Sequence, residues 1–327
     1  MLLIVTKAGP INTDCNAEVI GTELQQDIKE DEMSNSRVIL VTGATGLQGG
    51  SVVAALMERG HAARGLTRNL ESDSARALSE RGIDVRRGEF TDPESLAAAL
   101  DGVDSAFLVS TPFEGGVEAE TEQAIAFVEA AKTAGIGHIV YSSVANADRD
   151  TGVPHFDSKY EVEKYIKKSG LSYTIVAPAF FYENHIAPFM LPELQNGAYA
   201  QAIPETTQLQ MIAVANIGQF AALALDDPDR FKGKRIDIAG DAPTGTDRAS
   251  ILAKIADREI RYREVPIDMV RQMSEDMALM FEWFATVGYS VDIEELRASY
   301  TEIPWLTFEA WANQQDWAAL RAAPVVS

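Results

Sequence analysis

Arg37-Val-Ile-Leu-Val-Thr-Gly-Ala-Thr-Gly-Leu-Gln-Gly-Gly50 governs the reading of this chain. Val38 to Val41 form a short, uninterrupted β-branched and aliphatic run, as a strand buried on both faces of a parallel sheet requires. Gly43, Gly46 and Gly49 follow at intervals of three residues. Glycines so placed let the backbone turn tightly and approach a pyrophosphate lying over the N-terminus of a helix, here opening near Leu47. Val52, Val53, Leu56 and Met57 continue at helical spacing, and Gly60 closes the helix. The spacing is GxxGxxG rather than GxGxxG, so the strand, turn and helix around the glycines carry the assignment, not the glycines alone.

Outward from this unit the chain alternates. Strand patterns lie at 38–42, 62–66, 83–87, 104–109, 138–142 and 173–177, with helical patterns between them at about 47–59, 73–81, 93–100, 117–134 and 156–168. Repeated βα units with short connections predict an α/β fold: a Rossmann-like doubly wound parallel sheet with helices on both faces. After about residue 180 the alternation breaks down. Strands at 209–214, 235–239 and 260–264 mix with helices at 216–226, 247–257, 267–285, 292–299 and 308–319, as a smaller mixed α/β C-terminal lobe would. Residues 37–180 are read as mainly the dinucleotide-binding part and 181–327 as mainly the substrate or partner lobe. Residues 1–36, polar and acidic after the first few positions, are read as a loosely attached extension.

Composition narrows the partners. Lys and Arg total 28 against 49 Asp and Glu, a net charge of −21, and that field repels a phosphate backbone. No direct nucleic-acid binding is expected. No apolar run reaches the roughly 20 residues that cross a bilayer, and the opening Met-Leu-Leu-Ile-Val lacks a basic region before it. Cys15 is the only cysteine, which excludes an internal disulfide and a cysteine metal cluster. A cytoplasmic protein without a metal fits, and the oligomeric state is left open.

In a doubly wound sheet ligands sit beyond the carboxyl ends of the strands. An NAD-binding fold carries an acidic residue at the end of the second strand, where it meets the ribose 2′-hydroxyl. Here that strand ends in Thr67-Arg68-Asn69. A guanidinium grips a 2′-phosphate that a carboxylate would repel, so NADP(H) is preferred over NAD(H). After the fifth strand, Pro154 to Ile166 holds two competing pairs, Tyr160 with Lys164 and His155 with Lys159. At about 100° per residue, with Val162 as origin on the inward face, Lys159 projects at about +60° and His155 at about +20°. Tyr160 and Lys164 project at about 160° and −160°, toward water.

Gly43-Ala-Thr-Gly-Leu-Gln-Gly49, Thr67-Arg68-Asn69, His155-Phe-Asp-Ser-Lys159 and Pro178-Ala-Phe-Phe-Tyr-Glu-Asn184 together resemble the NmrA-like family of atypical short-chain dehydrogenase/reductases. The resemblance runs from about Arg37 to about Leu320. It implies a Rossmann domain with a small C-terminal lobe and NADP(H) as ligand. Gly43, Thr45, Gly46, Leu47, Gln48 and Gly49 would hold the pyrophosphate, and Arg68 the 2′-phosphate. Glu89 and Phe90 would border the adenine, and Ser110, Thr111 and Phe113 the ribose side. Ser142, Pro178 and Phe181 complete the expected cofactor contacts from later strand ends. Lys159 matches the family lysine near the nicotinamide. Where the typical short-chain enzyme has a tyrosine four residues before that lysine, this chain has His155, and Ser142 or Ser143 stands at the serine's usual place. Lys159, His155 and Ser143 are therefore the expected catalytic residues.

Two functions follow from these features. One is an NADPH-dependent reductase of an aromatic or carbonyl small molecule such as a quinone or enone, with Phe180, Phe181, Tyr182, Met190, Met280 and Trp283 walling the substrate. The other is a non-catalytic NADPH/NADP+ redox sensor that regulates a protein partner, which requires different affinities for the two cofactor states. An isomerase or dehydratase of the extended short-chain type lacks the expected tyrosine. Arg68→Ala is predicted to weaken NADP(H) binding by about tenfold to a little over a hundredfold, the worth of a charge-assisted hydrogen bond. NAD(H) binding should hardly change, and equal loss for both in a calorimetric titration would refute the assignment.

Overall fold

The computed structural model describes residues 37–112 and 115–321; the expected extension at 1–36 and Phe113 lie outside them. From Arg37 the chain runs β1 (Val38–Val41), α1 (Leu47–Glu58), β2 (Ala62–Thr67), α2 (Asp73–Glu80), β3 (Asp84–Arg87) and α3 (Pro93–Leu100). It continues through β4 (Ser105–Leu108), α4 (Gly116–Thr133), β5 (His138–Ser142), α5 (Pro154–Ser169) and β6 (Tyr173–Pro178). Each of these elements lies within a residue or two of its sequence pattern, because both strand and helix periods are local properties of the chain.

The strands form a parallel seven-stranded sheet in the order β10-β6-β5-β4-β1-β2-β3, where β10 is Lys234–Ile238. Chain order reverses about β1, whose neighbours are β2 on one side and β4 on the other. Alternate residues serve opposite faces. Ile39 and Val41 join Phe107, Val140 and Val176 beneath α1, whereas Leu40, Ala106, Leu108, Ile139 and Ile175 pack with α3, α4 and α5. Period-two alternation with both faces apolar is the reason the β1 run is continuously hydrophobic.

Beyond β6 come β7 (Phe180–Phe181), β8 (Ala198–Gln201), β9 (Met211–Ile212), α6 (Val214–Asp226), α7 (Gly245–Ala256), β11 (Arg261–Glu264), α8 (Ile267–Met273) and α9 (Glu275–Thr286). Here the structure departs from the sequence patterns. The strand expected at 235–239 belongs to the main sheet, paired in parallel with β6, and α6 packs on α1. Gly218 of α6 permits that packing, since a Cβ there would lie 2.3 Å from Ser51 Oγ. The helix expected over 267–285 is broken at Ser274, whose side chain caps α9 by accepting from Met277 N. The helix expected over 308–319 is interrupted between Phe308–Ala312 and Ala318–Arg321, and the strand over 209–214 shrinks to β9 because Val214 already opens α6. β8 and β7, absent from the sequence reading, pair with β11 and β9 in two small parallel sheets.

Burial in this fold titrates stability. His138 at the start of β5 is 1% exposed, with Nδ1 2.8 Å from Ser172 Oγ and Nε2 2.9 Å from Thr174 Oγ1. Burial, with the Arg37 charge second, lowers its pKa to about 4. The imidazole stays neutral in the folded chain while the unfolded chain takes up a proton below the ordinary histidine value. Stability is therefore fully present at neutral pH and falls as pH drops through roughly 6.5 toward about 4, by up to about 1.4 kcal/mol per pH unit. Urea unfolding at pH 7 and pH 5 should show a smaller loss for His138→Gln than for the unsubstituted chain.

Candidate functional site

At the carboxyl ends of β1, β2, β3 and β4 lies a cleft of about 480 Å³. The expected residues Gly43, Thr45, Gly46, Arg68, Glu89, Phe90, Ser110 and Thr111 all line it. Thr42, Thr67, Asn69, Val109 and Gln123 line it too, although no sequence motif assigns them contact roles. Thr42 shows why the floor is rigid: its hydroxyl donates to Val109 O at 3.1 Å and accepts from Val109 N at 2.8 Å, tying the β1 end to the β4 end.

The glycine loop is built by exclusion of side chains. Gly43 has φ +60°, and a Cβ there would lie 2.9 Å from Val109 Cγ1. A Cβ on Gly49 would lie 2.2 Å from Gly43 O and 2.4 Å from Gly43 C, so the first turn of α1 rests directly on loop backbone. Gly46 is the N-cap of α1 and no side chain caps it. First-turn amides and the positive end of the helix dipole are thus presented at the loop, where an anion is stabilised. Leu47, Gln48 and Gly49 belong to that turn and are not among the residues lining the cleft.

Arg64, on the same strand as the cleft residue Thr67, is structural. Its Nε donates to Asp84 Oδ2 at 2.8 Å and its Nη1 to Ala99 O and Asp101 O. Arg68 instead is exposed at the cleft. Phe90, on the expected adenine side, meets Phe127 edge-on at 5.6 Å.

Helix α5 starts at Pro154 after the N-cap Val153, so His155 and Lys159 are both helical and both turned inward. Lys159 Nζ donates to Ser110 O at 3.0 Å and to Glu120 Oε1 at 2.7 Å, and stands 5.9 Å from the centre of the Tyr141 ring. Glu120 is completely buried and also accepts from Ser110 Oγ and Ser158 Oγ. Burial, reinforced by the Glu120 charge, pushes the Tyr141 phenol well above its usual pKa, so that phenol keeps its proton. No motif pointed to Glu120; the available signal was an acidic residue on an otherwise apolar helix face.

The model of the NmrA-like family matches residues 35–312. The chain belongs to the NmrA-like family. It is 31% identical to the NAD(P)H azoreductase of Xenophilus azovorans over 252 residues, covering 74% of this chain and 82% of that one. It superposes on the NADPH-dependent quinone oxidoreductase of Escherichia coli, solved with NADPH, with TM-score 0.70 and 26% identity, covering 83% of this chain and 97% of that one. It superposes on NmrA, a negative transcriptional regulator, with TM-score 0.72 and 20% identity over 85% of this chain and 95% of that one, which shows the shared fold.

Other expected site residues of this NmrA-like chain are placed differently. Ser143 is bonded to a group other than Lys159: its hydroxyl donates to the buried Glu163 Oε1 at 2.6 Å, while Ser142 Oγ donates to Gln48 Oε1 at 2.7 Å. Successive strand residues face opposite sides, so one serine faces α5 and the other faces α1. Pro178 is buried at the end of β6, and Phe181 is half-buried against the core beneath α1; neither lines the cleft. His155 Nδ1 lies 2.6 Å from Asp276 Oδ2, and its backbone N–H donates to Asp276 Oδ1 at 3.1 Å. Tyr160 is half-buried on the second core cluster rather than facing water, with Lys164 and Lys167 over its ring. Tyr182, Met280 and Trp283, expected to wall a substrate, are core residues, while Phe180 and Met190 are only partly buried. Among the described residues no acidic, histidine or cysteine group could hold a metal ion, and no helix is long and apolar enough to cross a membrane.

The loop makes a direct prediction. Gly49→Ala should lower stability by about 1–3 kcal/mol, because its new methyl meets backbone that cannot yield. Gly46→Ala, whose Cβ would meet its nearest neighbour at 3.4 Å, should cost less in the same urea titration.

Proposed function

We propose that this chain is an NADPH-dependent reductase acting on a quinone, enone or carbonyl compound, with NADP(H) preferred over NAD(H). The observation that carries the reading is the meeting of two features at one residue: Ser110 lines the glycine-loop cleft, and its carbonyl accepts from Lys159 Nζ at 3.0 Å. A fixed cation thus borders the cleft. The likeness to an azoreductase and to a quinone oxidoreductase, both named for nicotinamide cofactors, supports the same reading.

The residues fit a dinucleotide. Gly43 and Gly49 leave backbone where side chains would fill the cradle, and the uncapped first turn of α1 suits a diphosphate. Thr45, Gly46 and the amides of Leu47, Gln48 and Gly49 would hold it. Arg68 would take the 2′-phosphate, Glu89 and Phe90 the adenine side, and Ser110 and Thr111 the ribose side. When bound, the nicotinamide supplies a hydride equivalent. Lys159 would donate to ribose and place positive charge where negative charge develops on the substrate. Asp276 at Nδ1 orients the His155 ring and leaves Nε2 as the atom able to hold or release a proton. Ser142, with its hydroxyl on Gln48, would steady the helix start rather than join the chemistry.

The redox-sensor reading draws on one specific feature, the histidine at position 155 in place of tyrosine, paired with a carboxylate of the C-terminal lobe. A single experiment separates the two readings. Incubation with NADPH and a panel of quinones and enones, followed by reduced-nicotinamide absorbance, should show turnover. Lys159→Ala should lower kcat by about 10²–10³-fold, the cost of losing one preorganised donor to developing charge. Tight NADPH binding with no turnover on any acceptor would favour the sensor.

A further inference from the structure

Glu120 of α4 is a carboxylate with no exposure to solvent, set in the dinucleotide half of the fold. Three donors converge on it: Lys159 Nζ at 2.7 Å and Ser110 Oγ at 3.1 Å on Oε1, and Ser158 Oγ at 2.8 Å on Oε2. A lone buried carboxylate is expensive, and so is a lysine whose side chain is 13% exposed; each offsets the other's desolvation. An ammonium has three N–H donors. One goes to Glu120 and one to Ser110 O, which fixes rotation about the Cε–Nζ bond and sets the direction of the third.

The neighbouring charges are committed elsewhere. Glu163, one turn further along α5, is taken by Arg235, Lys167 and Ser143. His155, one turn back, faces Asp276. Tyr141 of β5 keeps its proton. Glu120 is thus the one anion within reach of Lys159 among these groups.

We propose that Glu120 is a positioning residue for Lys159: it keeps the ammonium protonated and rotationally fixed at the Ser110 edge of the cleft, with Ser158 and Ser110 holding the carboxylate. The proposal rests on the reading of Lys159 as the cofactor-side cation. Its consequence is that the protonation state of Lys159 is set by a residue on α4 that touches neither cofactor nor substrate.

The test uses the full chain labelled with [ε-13C]lysine, the Lys159 resonance being assigned by its loss in Lys159→Arg. Glu120→Gln should move the Lys159 titration midpoint to lower pH by about 1–3 units, the span that an adjacent opposite charge commands. Glu120→Asp should restore part of that shift. Where acceptors are turned over, the alkaline limb of kcat should move with the midpoint. An unchanged midpoint in folded Glu120→Gln overturns the proposal, as does a kcat lowered equally at every pH. Should Glu120→Gln fail to fold, Glu120→Gln/Lys159→Met should fold, because the unpaired buried cation is then gone; failure of that double variant makes Glu120 merely structural and overturns the proposal. The titration needs no cofactor, so a shifted midpoint without any turnover sinks the reductase reading and leaves the Glu120 assignment standing.

Discussion

Everything at the functional end of this protein depends on the backbone contact between the first turn of α1 and the loop that leaves β1. Gly49 rests so closely on the Gly43 carbonyl that even a methyl group would overlap it. That approach places the uncapped start of α1 directly after β1, the strand about which the strand order reverses. The Thr42 hydroxyl, bonded in both directions to Val109, fastens the same loop to the next strand end. A cleft at the switch point follows from these constraints, with amides and helix dipole on one wall and the ends of β2 and β3 on the other.

Two buried carboxylates, Glu120 and Glu163, then sort the polar groups around α5. Glu120 gathers Lys159, Ser110 and Ser158 on the cleft side. Glu163 gathers Ser143, Arg235 and Lys167 away from it, with Arg235 also paired to Asp237. Removing one member of a buried pair typically costs about 3–5 kcal/mol, because the other charge is left uncompensated. Side chains in such sets cannot be reassigned cheaply, and the Ser143 hydroxyl is committed to Glu163. The C-terminal lobe enters through Asp276, which holds His155 from α9.

Aromatic density after residue 180 serves packing more than recognition. Tyr182, Tyr199, Phe284, Phe308 and Trp311 form a second core with Leu252, and His185 sits inside it on Tyr199 and the Tyr182 carbonyl. Burial, aided by the Arg248 charge, holds His185 at a pKa of about 3, so it stays neutral there. A small lobe made of short elements needs large rings to bury enough area, each contributing far more contact than an aliphatic residue.

The amino-acid sequence by itself determined the alternation from β1 to β6, the glycine loop, the cleft residues at the first four strand ends and the inward turn of Lys159 and His155. All of these follow from periods of 2 and 3.6 residues and from where glycine is sterically required, which are local properties. Tertiary structure alone decided the rest. Glu120 and Lys159 lie 39 residues apart, and nothing local pairs them. Which serine faces α5 depends on strand phase against a helix packed from elsewhere; β10 joins the main sheet beside β6, and α6, lacking a side chain at Gly218, closes on Ser51 of α1. Partner choice is set by close packing in three dimensions, where one absent Cβ or one buried charge outweighs local propensity.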